Sequence, residues 1–168
     1  MKTIFTIVAT FLLSVSSVFA QEAPSSGESG LKIPRFVSLR SNHINTRSGP
    51  GSRYPIEWVY LQSSAPVEVI AEFELWRKIK DWQGSESWVH KSMLSGKRAV
   101  KVITPGENNL FAKDDYQSKV IAKVEDEVIG EIKKCPANNN FCLIQFDSIS
   151  GWLPRHSLYG IYPDEIID

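Results

Sequence analysis

Trp76, Lys78, Lys80 and Trp82 are spaced two apart, so they share one face of an extended segment, because successive strand residues point to opposite sides. Arg77, Ile79 and Asp81 take the other face, with Ile79 as its core member. Two indole rings beside two ammonium groups suit peptides, sugars and carboxylates. Upstream, Arg47 and Tyr54 flank a polar, glycine-rich loop and can add a charge and a third ring. The expected site is shallow. Trp76, Trp82 and Tyr54 supply aromatic surface, and Lys78, Lys80 or Arg47 supplies charge. Two other uses of these residues stay open: the tryptophans cover the core or fill an internal interface, and Arg47 fixes its own loop through backbone carbonyls. Trp88 is expected to be buried, as tryptophan mostly is.

Other reactive residue types give little. His43, His90 and His156 are dispersed and follow no metal-ligand spacing such as H-E-x-x-H. No G-x-S-x-G elbow is present. Cys135 and Cys142 enclose the segment Pro-Ala-Asn-Asn-Asn-Phe. A nucleophilic cysteine needs an adjacent base, and none is near in sequence. The plainer expectation is a Cys135–Cys142 disulfide across a hairpin loop, natural in an oxidising compartment. Two cysteines are too few for a zinc site. No catalytic residue, metal or cofactor is expected, and the chain reads as a non-enzyme.

The elements that must position these residues are strands. Val67, Val69, Ala71 and Phe73 alternate with Glu68, Ile70, Glu72 and Glu74, the period-two pattern of a half-buried strand. Val120 to Val124 and Leu143 to Phe146 look similar. Short strands, frequent turn residues and no convincing helix imply small all-β barrels. The chain also repeats itself: Trp88–Gly96 aligns with Trp152–Gly160 at an offset of 64 residues. Two copies are expected, divided near Thr104-Pro105-Gly106, a turn signal. Units this small are marginal alone, so the copies should pack together. After the last strand, Ile161 and Tyr162 should pack back, leaving an acidic tip.

Composition excludes some classes. The 168 residues hold 19 Lys+Arg and 19 Asp+Glu, so bulk charge makes no case for nucleic-acid binding. The charge is split, however. Residues 31–103 carry 12 Lys/Arg against 6 Asp/Glu, and residues 104–168 carry 6 against 11. A basic first half could face anionic material, or the halves could attract one another. Residues 1–20 have a basic start, an apolar run and a small-residue cleavage site after Ala20, which is a signal peptide. That run is interrupted by hydroxyls and falls short of the ~18 apolar residues of a spanning helix. Residues 21–30, QEAPSSGESG, cannot bury enough surface to order themselves, and 21–35 is expected to be a flexible leader.

Asn45-Thr46-Arg47-Ser48-Gly49-Pro50-Gly51 makes a sharp loop, with glycines free to take positive φ. It is followed by Trp58-Val59-Tyr60-Leu61, by Trp76-Arg77-Lys78-Ile79, and by Gly84 and Trp88-Val89. That order resembles the bacterial SH3 (SH3b) family, with its N-x-R-x-G-P loop, W-x-K-I strand and closing G-W-V segment. Ser87 stands where the family usually has Gly. Lys80-Asp81-Trp82-Gln83-Gly84 with Trp88-Val89-His90-Lys91-Ser92 looks like the variant of secreted proteobacterial proteins. The second copy matches through Gly151-Trp152-Leu153, while Asn109-Leu110-Phe111-Ala112 lacks the Arg and the Gly-Pro. The resemblance implies two tandem SH3-like β-barrels packed together, over 36–103 and, degenerate, over 104–168. It also implies a periplasmic binding module that recognises peptidoglycan peptide or an envelope protein. The competing expectations are a structural envelope protein, with its aromatic face buried between the repeats, and an accessory partner of a cell-wall hydrolase.

Overall fold

The computed structural model describes residues 25–168. The expected signal peptide and residues 21–24 of the leader lie outside the described residues. Nearly all regular structure is strand. β1 (Ser25–Ser26) and β2 (Lys32–Ile33) form a small hairpin. A first sheet follows from β3 (Arg35–Leu39), β4 (Ile44–Arg47), β5 (Ile56–Tyr60), β6 (Pro66–Phe73), β7 (Trp76–Lys80), β8 (Glu86–His90) and β9 (Leu94–Ser95). A second is built from β10 (Ala99–Val102), β11 (Asn108–Phe111), β12 (Val120–Val124), β13 (Ile129–Lys134), β14 (Phe141–Phe146), β15 (Ile149–Pro154) and β16 (Leu158–Tyr159). The helical elements among the described residues are two 3₁₀ turns, Lys91–Met93 and Arg155–Ser157.

The strand orders are β5-β4-β8-β7-β6-β3-β9 and β12-β11-β15-β14-β13-β10-β16, the same path traced twice. Every pairing is antiparallel. The fold is therefore all-β, with two packed SH3-like domains. Each encloses its own core. Leu39, Ile44, Val67, Val69, Ile79 and Val89 fill the first, and Val100, Val102, Leu110, Ile144 and Leu153 fill the second. Each such side chain contributes roughly 1.5–3 kcal/mol by leaving water.

Three features differ from expectation. First, the change of sheet falls between Ser95 and Ala99, ahead of Thr104-Pro105-Gly106, because Ala99–Lys101 pairs with β13 and its end pairs with β16. The Pro-Gly turn instead joins β10 to β11 inside the second domain. Second, residues 25–35, expected as a leader without structure, carry a small hairpin and bonds to the first sheet. Glu72, whose side chain is 1% exposed, accepts hydrogen bonds from the Ser29 backbone and hydroxyl and pairs with Arg35 (2.6 Å) and Arg77 (3.1 Å). Glu28 in turn accepts from the Glu74 amide. These bonds supply what the apolar-poor leader lacks. Third, the alternation along β6 reverses. An extra residue, Ile70, bulges between Val69 and Ala71, so Glu72 comes opposite buried Arg77 and Phe73 is turned outward, 46% exposed.

The seam between the domains is aromatic. Phe36 meets Tyr159 edge-on (5.2 Å between centroids) and Tyr162 at a tilt (4.7 Å). The Tyr159 hydroxyl donates to the Lys80 carbonyl and the Tyr162 hydroxyl to Glu68, both at under 3 Å. Ile129 packs on the first core. Gly160 sits at φ 115°, and a methyl there would strike the Ala99 carbonyl and lie 3.0 Å from Pro66. The expected return of Ile161 and Tyr162 is what the structure has. The tip is not wholly acidic, because Arg98 takes both oxygens of Glu165.

Burial, followed by the neighbouring Asp81 for Tyr60 and by the neighbouring Glu68 for Tyr159 and Tyr162, raises the pKa of all three phenols well above the ordinary value of 10.0. A raised tyrosine pKa contributes stability that is full below the unfolded value and is lost as pH climbs beyond it. Absorbance at 295 nm should therefore show these three phenols ionising together with unfolding above pH ~10, not before it. Ionisation of all three in a protein with an unchanged circular dichroism spectrum would refute a sealed seam.

Candidate functional site

β7 supplies the framework. Its burial alternates as the spacing predicts: Arg77, Ile79 and Asp81 are buried, while Trp76, Lys78 and Lys80 are half-exposed on the outer face. Cross-strand register decides what joins them. Trp76 lies opposite His90, Lys78 opposite Trp88, and Lys80 opposite Glu86. Arg47 pairs with Trp88 from the other side. Directly opposed residues share a face, so the outer surface carries Trp76, Trp88 and His90 around Lys78, with Arg47 and Lys80 at its margins.

Trp88 thus belongs to this face and is only half-buried, contrary to its expected burial. Trp82 leaves it. The chain turns after Asp81, whose carboxylate accepts from the Gln83 and Ser85 amides, and this turn carries Trp82 toward the seam. There its ring meets Tyr60 edge-on at 6.2 Å, and the Lys101 ammonium sits 4.0 Å from its centroid. Lys101 comes from the second domain and is 3% exposed. Burial drives its pKa below the ordinary 10.5, against the pull of Glu127 and Asp126.

The loop residues are used by their own loop. Arg47 donates to the Tyr54 carbonyl at 2.6 Å. The Tyr54 ring covers Gly49 and Gly51, and the Arg53 guanidinium lies 5.6 Å from its centroid. Neither glycine adopts positive φ. They are small because a side chain at Gly49 would overlap the Tyr54 ring, so the reason for glycine here is space rather than backbone freedom.

Charge on the face is partly neutralised. Lys78 pairs with Glu86 at 2.5 Å, and this hydrogen bond and charge hold the Glu86 carboxyl below its usual range. Among the described residues Lys80 makes no ion pair. Trp76 is fixed edge-on to the His90 ring at 5.6 Å, and His90 Nδ1 is 2.7 Å from the Ser92 hydroxyl. Phe73 and Leu75, at the adjoining hairpin end, extend the apolar surface. The arrangement offers rings and cations to an extended ligand. Among the described residues no group of three or more His, Cys, Asp or Glu could hold a metal ion.

In the second domain Cys135 and Cys142 form the expected disulfide, closing the β13–β14 hairpin. No described helix is long and apolar enough to cross a membrane.

Comparison with known proteins points to the same part of the chain. The family model described as bacterial SH3 domain matches residues 40–96, which hold β4 to β9. Two solved structures from Trichomonas vaginalis are similar in part. NlpC2 is 14% identical, with 75% of this chain and 48% of that chain covered at a TM-score of 0.32. NlpC1 is 13% identical, with 86% and 50% covered at a TM-score of 0.32. The chain spans about half the length of each. No curated protein matches.

Proposed function

We propose, from the premise that residues 40–96 form a bacterial SH3 domain, that the protein is a non-catalytic binding module of the bacterial cell envelope. Its first domain takes a peptidoglycan peptide, or a peptide segment of an envelope protein, across the outer face of β7 and β8. The observation that carries this reading is the placement of Trp76 and Trp88 on either side of Lys78. Aromatic faces grip the ligand backbone and side chains, while Lys80 and Lys78 meet carboxylates. The Cys135–Cys142 bridge supports an oxidising, extracytoplasmic location, which we take to be the periplasm.

Sedimentation of the purified protein with isolated peptidoglycan sacculi tests this at low and moderate salt. Saturable binding is expected, with Trp76→Ala and Trp88→Ala each weakening it about tenfold or more, as interface aromatics do. Lys78→Glu should weaken it too, while circular dichroism stays unchanged. Binding that vanishes with salt and ignores Trp76 is charge attraction only and defeats the reading.

A second reading has one observation in its favour. Trp82 is held between the domains by Lys101 and Tyr60, so part of the expected aromatic face serves the architecture. An envelope protein with a purely structural role would bind no wall material in the same assay.

A further inference from the structure

The second domain has its own aromatic site, at the same place on the sheet. Phe141 opens β14 opposite Pro154, just as Trp76 opens β7 opposite His90. Over Phe141 lies Tyr116, with ring centroids 4.6 Å apart, and Phe111 meets both rings edge-on. Tyr116 is nevertheless 58% exposed. It lines a cavity of about 440 Å³ together with Asn140, His156, Asp164 and Arg155. That volume lies within the range of small-ligand sites, roughly 300–1,000 Å³.

The site is rigid. Asp115 accepts from the Gln117 and Ser118 amides, and Ser118 accepts from Lys113, so the loop carrying Tyr116 is pinned from within. Asn139 ties it to Asp114 from the neighbouring hairpin. Arg155 is spent on carbonyls, donating to Pro136, Tyr162 and Glu165. It therefore holds the walls with its N–H groups, while its charge stays in the cavity lining beside the Asp164 carboxylate. Among the described residues the side chains of Tyr116, Asn140, His156 and Asp164 make no hydrogen bond or ion pair with the protein. A supported aromatic ring thus stands beside an unpaired amide, imidazole and carboxylate.

We infer that this cavity is a binding site for a neutral oligosaccharide, with a pyranose ring stacked on Tyr116 and its hydroxyls bonded to Asn140, His156 and Asp164. A pyranose has one apolar C–H face and a rim of donors and acceptors, which matches a ring with an unpaired polar rim. Within the lining the Asp164 carboxylate offsets the Arg155 charge, and the acidic balance of residues 104–168 disfavours anionic ligands. The inference does not depend on the peptide reading of the first domain, because its probes are soluble sugars.

Saturation-transfer-difference NMR on the whole protein with N-acetylglucosamine tetramer and with cellotetraose tests it. At least one sugar should receive saturation at its ring C–H protons. Tyr116→Ala should cut that binding at least tenfold, while Tyr116→Phe, which keeps the ring, should retain it. Asn140→Ala should weaken it a few-fold, and Trp76→Ala should leave it unchanged. No transfer to either sugar, transfer that survives Tyr116→Ala, or transfer lost in Trp76→Ala would each overturn the inference. Tyr116 lies in an exposed loop, and the Phe variant separates loss of the ring from loss of folding.

Discussion

Glu72→Gln is expected to lower the stability of the protein by about 3 kcal/mol, because removing one member of a buried ion-pair group leaves its partners uncompensated. Glu72 is the common acceptor for Arg35, Arg77 and the Ser29 backbone. The Arg77 side chain is itself buried and keeps only the Glu74 and Trp76 carbonyls once the carboxylate is gone. The measurement is the urea midpoint, read together with hydrogen exchange at Ser29, whose amide should lose protection first. Replacing Glu72 and Arg77 together by methionine should cost less than Glu72→Gln alone, since both charges then leave the interior. An unchanged midpoint in Glu72→Gln would mean the leader is not held by this group. The pH dependence has a definite sign. Burial raises the Glu72 and Glu165 carboxyls, but the bonds from Ser29 and Arg35 in one case, and Arg98 in the other, leave both below the ordinary 4.5. Their contribution is full above that value and is lost as pH falls through the lower folded ones. Acid should therefore release the leader and the tail.

Reducing Cys135–Cys142 has the next largest expected effect. The bridge closes a loop of eight residues, counting both cysteines, and loop entropy gives about 2.5 kcal/mol for that length. The loss should reach beyond the hairpin, because Cys135 exchanges two backbone hydrogen bonds with Ile167 and so anchors the tail. Thermal melts with and without reductant, and of the Cys135→Ser/Cys142→Ser protein, provide the check. Amide signals of β4 to β8 should hardly move, since each domain has its own core. A melt unaffected by reduction would show that the tail is held by its side chains alone.

Strand character, the all-β class and the two faces of β7 were legible in the sequence, because alternation is a local property of consecutive residues. Partnership was not. Trp82 continues the period of Trp76 and Lys78, yet a turn stabilised by Asp81 removes it from their face. Trp88 shows no local sign of belonging there, and only the register of β8 against β7 brings it in. The bulge at Ile70 hid Glu72 in the same way, making a residue that alternates as solvent-facing the hub of an ion-pair group. The leader looked incapable of order because its composition was judged by apolar area, whereas it is held by polar bonds to a distant strand. Tyr116 was missed because its signal is three-dimensional, one loop ring resting on rings from two strands.

The seam has a consequence for the time course of folding. Residues 35–95 contain every strand of the first sheet, so that domain can close before the rest of the chain is available. The surface around Phe36 and Trp82 is then complete but uncovered. Lys101 arrives early, whereas Tyr159 and Tyr162 follow about sixty residues later. The first domain therefore carries a wet aromatic flank until residues 158–162 dock on it. Docking at the seam is the late step, and an interrupted chain would be most prone to associate through that flank.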